Sequence, residues 1–332
     1  MRHGVEGAPI LGAGLRAIWG RRSLVVPAAL VLDSLAVGSR ERETSAIGYQ
    51  RILRFAEEIL WTDTVSGGLR FALAGGILPL LVGRAARFAL GDLGSEALMG
   101  AACVGLRALR EQAVASAVAL EQRDIDGTGA RADASSARAA VESIATGFAE
   151  DVCGALLYLN AAGSDGLLAY RAVNAIGATV GHAGPANARF GVVPGRLHAA
   201  FGWLPSQVGA LAVCGAAHGP TLTLFAQARR DAMAHPRPSV GIMHAAFAHA
   251  LGIGLGARSI RGEGLSAGLF GNQEAARPDD IRRALALAER AAVLVAFWLM
   301  VADAGLWLMC PRRSRGGGLS PWARRGRSSC CR

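Results

Sequence analysis

The chain has 332 residues, 52% hydrophobic and 18% charged, with 35 basic residues against 25 acids and a formal charge of +10. Such a composition, at mean hydropathy +0.32, excludes a disordered chain and exceeds what a soluble core needs, so the expected environment is a membrane. Every basic residue is Arg, and a chain without Lys can build neither a P-loop nucleotide site nor a pyridoxal-phosphate Schiff base.

Aromatic residues make up only 6% while Gly numbers 44, which suits closely packed membrane helices and argues against a β-sandwich or an outer-membrane barrel. The expected fold is all-α, an integral membrane protein with three to five spanning helices and cytoplasmic helical loops. Residues 1–22 form a basic N-terminal segment with no apolar run and A-x-A cleavage site after it, so a removable signal peptide is not expected. Residues 23–310 are the membrane-embedded domain. Within it the first apolar run extends from Ser23 to Gly38, the next from Gly68 to Gly83, and a weaker one from Ala97 to Leu106. Several are short for a span of about 20 residues and contain Pro or Gly.

Leu106 to Asp124 has apolar residues at helical spacing with charges opposite, and reads as a cytoplasmic amphipathic helix. Gly127 to Ser136, GTGARADASS, reads as a loop, with Ser136 as N-cap of a helix carrying Glu142. A further apolar run covers Ala199 to Ala217. The clearest span is Ala291 to Cys310, followed at once by PRRSR, a flank that by the positive-inside rule places the C-terminus in the cytoplasm. Residues 311–332 are an Arg-rich tail, expected to be disordered. Seven Arg and no acid lie there, so the rest is nearly neutral and the charge suits anionic lipid headgroups, not nucleic acid.

The six cysteines show no CxxC pair and read as small buried hydrophobes, without a zinc or disulfide framework. Glu142 lies in an Ala-rich helix, where a carboxylate is either a Mg²⁺ ligand at a phosphate site or a solvated acid on the cytoplasmic face. Asn174 and Arg171 in AYRAVNA can hold a carboxylate or amide, Arg171 as a bidentate fork; the alternative for Asn174 is a helix-facing hydrogen bond. Asp231 and His235, at i and i+4 before Pro236, would share a helix face, either orienting the imidazole for acid–base work or simply capping the helix. His244 and His249, five apart, are wrongly spaced for two ligands on one face, and no metal site is assigned. Asp33 and Asp303 fall inside the first and last apolar runs, where an ionisable group pairs across helices or lines a polar cavity.

Several blocks occur in an order that resembles a known family. They are LVLDSLAVG and AIGYQRILRFAEEILW near the start, then AVESIATGFAEDVCGALLY from Ala140 to Tyr158 and LLAYRAVNAIGATVGH. ARFG with RLHAAFGWLPSQ, RRDAMAHPRPSVGIMHAAFAHALGIGLG from Arg229, and RPDDIRRALAL from Arg277 follow. Together, from Leu30 to Leu294, they resemble the adenosylcobinamide-phosphate synthase family of cobalamin biosynthesis, the CobD/CbiB type.

The resemblance implies a plasma-membrane, multi-pass enzyme that joins the propionate carboxylate of adenosylcobyric acid to 1-aminopropan-2-ol or its phosphate. It implies ATP and Mg²⁺, a corrinoid substrate, lipid contact and other cobalamin-pathway enzymes as partners. On the matching positions it implies Glu142, Glu150, Asn174, Asp231 and His235 as catalytic residues and Tyr170, Arg171 and Arg196 as substrate-binding ones. The chain departs from the family pattern where Gly177 and Ala178 stand for an Asp and a Ser. His198 and Ala199 stand for an Asp pair, His244 for an acid, and Glu150 is the acid kept from an ENTSDG-like run. A GRDT-like segment is missing or reduced to the Gly127–Ser136 stretch. These departures leave open a catalytically degenerate homologue acting as scaffold or corrinoid holder, and, more remotely, a transporter.

Overall fold

The computed structural model describes residues 25–35, 39–125, 130–180, 188–256, 270–272 and 274–309, so the basic N-terminal segment and the Arg-rich tail lie outside the described residues. In chain order the helices are α1 (Val25–Leu35), α2 (Ser39–Leu60), α3 (Val65–Cys103), α4 (Leu106–Ile125) and α5 (Ala130–Gly147). A π-helical turn (Phe148–Cys153) leads into α6 (Gly154–Val180), followed by α7 (Val192–Ala216), α8 (Thr221–Ala232), α9 (Pro238–Leu251) and α10 (Pro278–Met309). One antiparallel pair, β1 (Gly254–Leu255) and β2 (Phe270–Gly271), closes the loop after α9.

Among the described residues four helical stretches are long and apolar enough to cross a membrane, by length and composition, which agrees with the expected three to five. Their packing is that of a membrane bundle. On α3 the glycines and small residues face inward, with Gly68, Phe71, Ala72, Gly75 and Gly83 buried. Leu69, Leu73, Ile77 and Leu81 form an exposed stripe at helical spacing. Water would penalise that outward stripe, whereas lipid accepts it and leaves the glycines to let backbones approach closely. α10 repeats the arrangement, with Ala288, Ala291, Ala292 and Val295 buried and Val293, Phe297 and Val301 exposed.

Two of the long helices are hairpins. In α6, Asn174 reaches the carbonyl of Glu150, 24 residues away, at 3.5 Å, Arg171 pairs with Asp151, and Tyr170 stacks on Tyr158 with ring centroids 4.6 Å apart. A straight helix would separate residues 24 apart by about 36 Å. The chain reverses at Gly163, whose φ of 65° and ψ of −153° suit only a residue without Cβ. α3 turns likewise at Gly91, φ 71° and ψ 179°. Gly83 on one limb packs against Asp165 and Leu168, while Ser95 on the other meets Ser164 at 3.5 Å. The apolar runs Gly68–Gly83 and Ala97–Leu106 are therefore the two limbs of one hairpin, and its tip lies beside the tip of α6.

α4 occupies the expected Leu106–Asp124 stretch. Its buried stripe Leu109, Ala113, Ala117 and Leu120 packs inward, and ion pairs of Arg110 with Glu289 at 2.6 Å and Arg282 with Glu121 at 2.7 Å hold it along the first half of α10. The loop expected over Gly127–Ser136 is corrected. Residues 127–129 lie outside the described set, but α5 already starts at Ala130, because the run of alanines favours helix and Ser136 sits inside it instead of capping it.

Asp33 is fully buried and its Oδ2 accepts from the backbone N–H of Arg107 at 3.0 Å. It caps the N-terminus of α4 from a different helix, meeting an amide that has no partner within its own helix. Asp33→Ala is expected to lower the thermal midpoint of the detergent-solubilised protein, at a cost of about 1–2 kcal/mol. Asp33→Asn, which keeps an acceptor oxygen, should retain most of that stability. Asp303, 2% exposed, accepts from Asn160 at 3.2 Å beside the α6 tip, the cross-helix pairing expected of an acid at that depth.

Candidate active-site cleft

The centre of the molecule is the junction of α5 and α6. Over Phe148–Cys153 the helix widens to a π turn, a local irregularity that releases carbonyls from the ladder and is common where side chains must be re-aimed. The released groups find partners: Gly105 N–H donates to Asp151 O at 3.0 Å and the Asn174 amide to Glu150 O. The acids leave in two directions. Asp151 turns to Arg171, and Glu150 turns into an open cleft of about 380 Å³.

That cleft is lined by Glu142, Thr146 and Glu150 from the α5 side, Ala178 from α6, His198 from α7, and His235, Arg237 and His244 from the turn before α9 and α9 itself. Glu142, Glu150 and His235, named from sequence, are thus brought together. Glu142 Oε1 accepts from Gly256 N–H at 2.7 Å, which ties the loop after α9 to the cleft. The sequence reading overlooked Arg138, one turn before Glu142.

The other residues named from sequence lie elsewhere. Asn174 makes the helix-facing bond, its long contact with Glu150 O steadying the π turn. Tyr170 is fully buried and stacked, a core residue without access to the cleft. Arg171 is engaged by Asp151 and does not line the cleft. Arg196 is exposed on α7, away from the lining. The expected Asp231–His235 pair does not form, because α8 ends at Ala232 and His235 falls in the following turn. α9 runs back along α8 and offers His249 instead, whose Nε2 lies 2.8 Å from Asp231 Oδ2.

His198 lines the cleft beside Glu150. Its Nε2 lies 3.4 Å from Glu150 Oε1, and its ring occupies the space that Gly177 leaves empty. A Cβ on Gly177 would stand 2.5 Å from His198 Cβ and 2.8 Å from Nδ1. Nδ1 is buried without a partner, so a proton there would have no acceptor, and the ring proton belongs on Nε2, facing Glu150. The two positions that looked like separate losses of acid are therefore one packed unit, imidazole against glycine. Reading Gly177 and His198 as a size-compensated pair is the signal that would have revealed it.

His244 lies deeper in the wall, its Nε2 3.1 Å from Thr146 Oγ1 and its ring edge-on to His235 at 5.9 Å. Burial, reinforced by the charge of His235, pushes its pKa down to about 4 from the ordinary 6.5. Since the folded value lies below the unfolded one, the unfolded chain binds the extra proton first. Stability is thus complete above pH 6.5 and falls as pH drops toward 4, by about 3 kcal/mol. Unfolding titrations of wild type and His244→Gln should show that slope in the wild type and a flatter profile in the variant.

Among the described residues no group of three His, Cys, Asp or Glu has the geometry of a metal site. The two cleft carboxylates nevertheless fit Mg²⁺ carried in with a nucleotide, which needs only one or two protein carboxylates alongside phosphate oxygens.

Comparison with known proteins gives a consistent result. The family model described as CobD/Cbib protein matches residues 26–288. The "Cobalamin biosynthesis protein CobD" of Mycobacterium tuberculosis is 35% identical over 122 residues, 36% of this chain and 39% of that relative. The protein of the same name from Stutzerimonas stutzeri is 31% identical over 62% of this chain and 70% of its own length. That from Pelobacter propionicus is 27% identical over 74% and 84%. The matched stretch thus spans well under half of the mycobacterial relative. No solved structure matches the chain.

Proposed function

The chain belongs to the CobD/CbiB family, and from that premise we propose that it acts in cobalamin biosynthesis, forming an amide between a corrinoid propionate and an amino alcohol or its phosphate. The observation that carries this reading is the cleft at the π turn, where Glu142, Glu150, His198 and His235 converge within a chain matched by the family over most of its length.

Amide formation from a carboxylate needs the acid activated and the ammonium relieved of a proton. Bound ATP, with Mg²⁺, would supply the phosphoryl group that activates the carboxylate. Glu142 is the carboxylate that would hold the cation, which leaves Glu150 for the proton. Glu150, with Oε1 facing the Nε2–H of His198, has a second oxygen with which to receive the ammonium's proton. Arg237 on the cleft rim supports phosphate.

The same reading sets the orientation in the membrane. At the cleft end Arg237 lines the cavity, Arg171 pairs with Asp151 at the π turn and Arg283 reaches Leu251 O, whereas beside the hairpin tips Arg87 pairs with Asp165. By the positive-inside rule the cleft faces the cytoplasm, where ATP is available. α10 begins on the cleft side, with Arg283 donating to Leu251 O, and runs to Asp303 beside the tips. Its far end then faces away from the cytoplasm, opposite to what the PRRSR flank alone suggests. Alkaline phosphatase fused after Met309 should be active and the same reporter fused after Ile125 inactive; the reverse pattern would overturn this orientation.

One observation favours a second reading, a degenerate homologue that binds a corrinoid without chemistry: His198 fills the space above Gly177, where the family pattern has a carboxylate. Complementation of a strain lacking the family enzyme, supplied with cobyric acid, separates the two. Growth supports catalysis, and no growth at good expression supports the binding-only protein.

A further inference from the structure

α2 presents three faces. Tyr49, Leu53 and Ala56 turn inward, where Leu53 is fully buried and Tyr49 donates to Gly75 O at 2.7 Å. The fit is close, since a Cβ on Gly75 would stand 2.8 Å from Leu53 Cδ2 and 2.9 Å from Ile176 Cδ1. Gln50, Arg54 and Glu57 line a second cleft, of about 330 Å³, between α2 and the end of α6. The third face is apolar and bare: Ile52, Phe55 and Ile59, at helical spacing, are 51%, 64% and 64% exposed. Large apolar side chains grouped on one exposed face mark an interaction surface.

The depth of that face identifies what covers it. Gly75 precedes the hairpin tip at Gly91 by 16 residues, about 24 Å of helix, whereas the hydrocarbon layer of a bilayer is about 30 Å thick. With the tip at the far boundary, Leu53 packs on α3 just inside the apolar layer at its cleft-side edge. On α3, Leu73 and Ile77, two residues either side of Gly75, belong to the outward stripe that meets lipid, so the bare face of α2 lies at the level of a surface already lipid-facing. α2 itself does not cross. It carries four Arg and four Glu within 22 residues and is not among the stretches apolar enough to span. Charged on one side and apolar on another, with low net hydrophobicity, it has the make-up of a helix that lies in the interface. Because its charges balance, anionic headgroups are not what holds it there.

We propose that α2 is an interfacial helix, seated where acyl chains meet headgroups on the membrane face that carries the cleft. Ile52, Phe55 and Ile59 rest among the acyl chains, where their apolar area is removed from water. Arg51, exposed next to that stripe, lays its aliphatic stem along the lipid and holds its guanidinium at the headgroups. The opposite face, with Glu57, walls the second cleft, so a single helix separates lipid from a polar cavity. This seat is independent of the chemistry in the first cleft.

The test places the photoreactive residue p-benzoylphenylalanine in turn at Ile52, Phe55, Ile59 and, as control, Glu57, in the full chain reconstituted into phosphatidylcholine nanodiscs. After irradiation the adducts are identified by mass. Lipid adducts should form at Phe55 and Ile59 at least fivefold more than at Glu57, with Ile52 following the first two. The yield should stay the same when phosphatidylglycerol replaces part of the phosphatidylcholine, because the seat is apolar. Folded protein whose Phe55 and Ile59 positions give no more lipid adduct than Glu57 overturns the proposal. Adducts joining two copies of the chain at these positions also overturn it, since the face would then be a contact between protomers. A yield that rises severalfold with phosphatidylglycerol overturns it as well, since charge and not apolar burial would then hold the helix at the membrane.

Discussion

Gly177→Asp alone is expected to destabilise the protein by about 1–3 kcal/mol and to abolish complementation. The new Cβ would stand 2.5 Å from His198 Cβ and 2.7 Å from its Cγ, and both residues sit on helices, α6 and α7, held by their own packing. The near atoms are at the root of the histidine, so no rotamer of a flexible tip can relieve the contact. Restoring a family-like carboxylate by this change, with or without Ala178→Ser, therefore ejects the imidazole that faces Glu150. Cutting the partner back gives the decisive comparison. Gly177→Asp with His198→Gly, which removes the Cβ as well as the ring, should recover most of the lost stability, falling short of wild type by about 1 kcal/mol for a glycine within α7. Equal destabilisation in the single and double variants would show that the clash is not with His198.

Glu150→Gln is expected to reduce amide formation by about 10²–10⁴-fold while leaving the thermal midpoint nearly unchanged. The side chain is half-exposed in the cleft, and its fold-bearing contact runs through its carbonyl to Asn174, which the substitution leaves in place. A glutamine side chain keeps an oxygen for His198 Nε2–H but cannot take a proton from an ammonium. His198→Phe should act through Glu150, keeping the packing over Gly177 and losing the N–H. Its effect should be smaller, with a shifted pH profile, and His198→Gln, which restores a donor, should recover part of the rate. Activity of Glu150→Gln within threefold of wild type would remove Glu150 from proton transfer.

Much of this architecture was legible because lipid exposure leaves a plain mark on sequence. The apolar runs, the amphipathic stretch that became α4 and the last span all follow from periodicity and length. The hairpins were not, because a glycine within an apolar run looks like a weak helix or a boundary. Only contacts such as Asp151 with Arg171 or Ser95 with Ser164 reveal that the chain has reversed. Asp33 was legible as a buried acid but not as a cap for α4, whose N-terminus is far away in sequence.

The site divides in the same way. Glu142, Glu150 and His235 line one cleft; Glu142 and His235 lie on stretches that keep the family pattern, and Glu150 is the one acid kept from a run that departs from it. Asp231 and His235 did not pair, because local spacing presumed a helix that ends too early and the partner, His249, arrives by antiparallel packing. His198 and His244 were read as missing acids. What they do depends on the faces opposite them, Gly177 and Thr146, and single-position comparison carries no such information.

The most direct measurement is amide synthesis by the purified full chain in lipid nanodiscs, supplied with adenosylcobyric acid, 1-aminopropan-2-ol phosphate, ATP and Mg²⁺, with the product identified by mass. Wild type should form the amide only when ATP is present, and Glu150→Gln should form little or none. Folded wild type that yields no amide, under conditions where an active relative of the family does, would contradict the catalytic account.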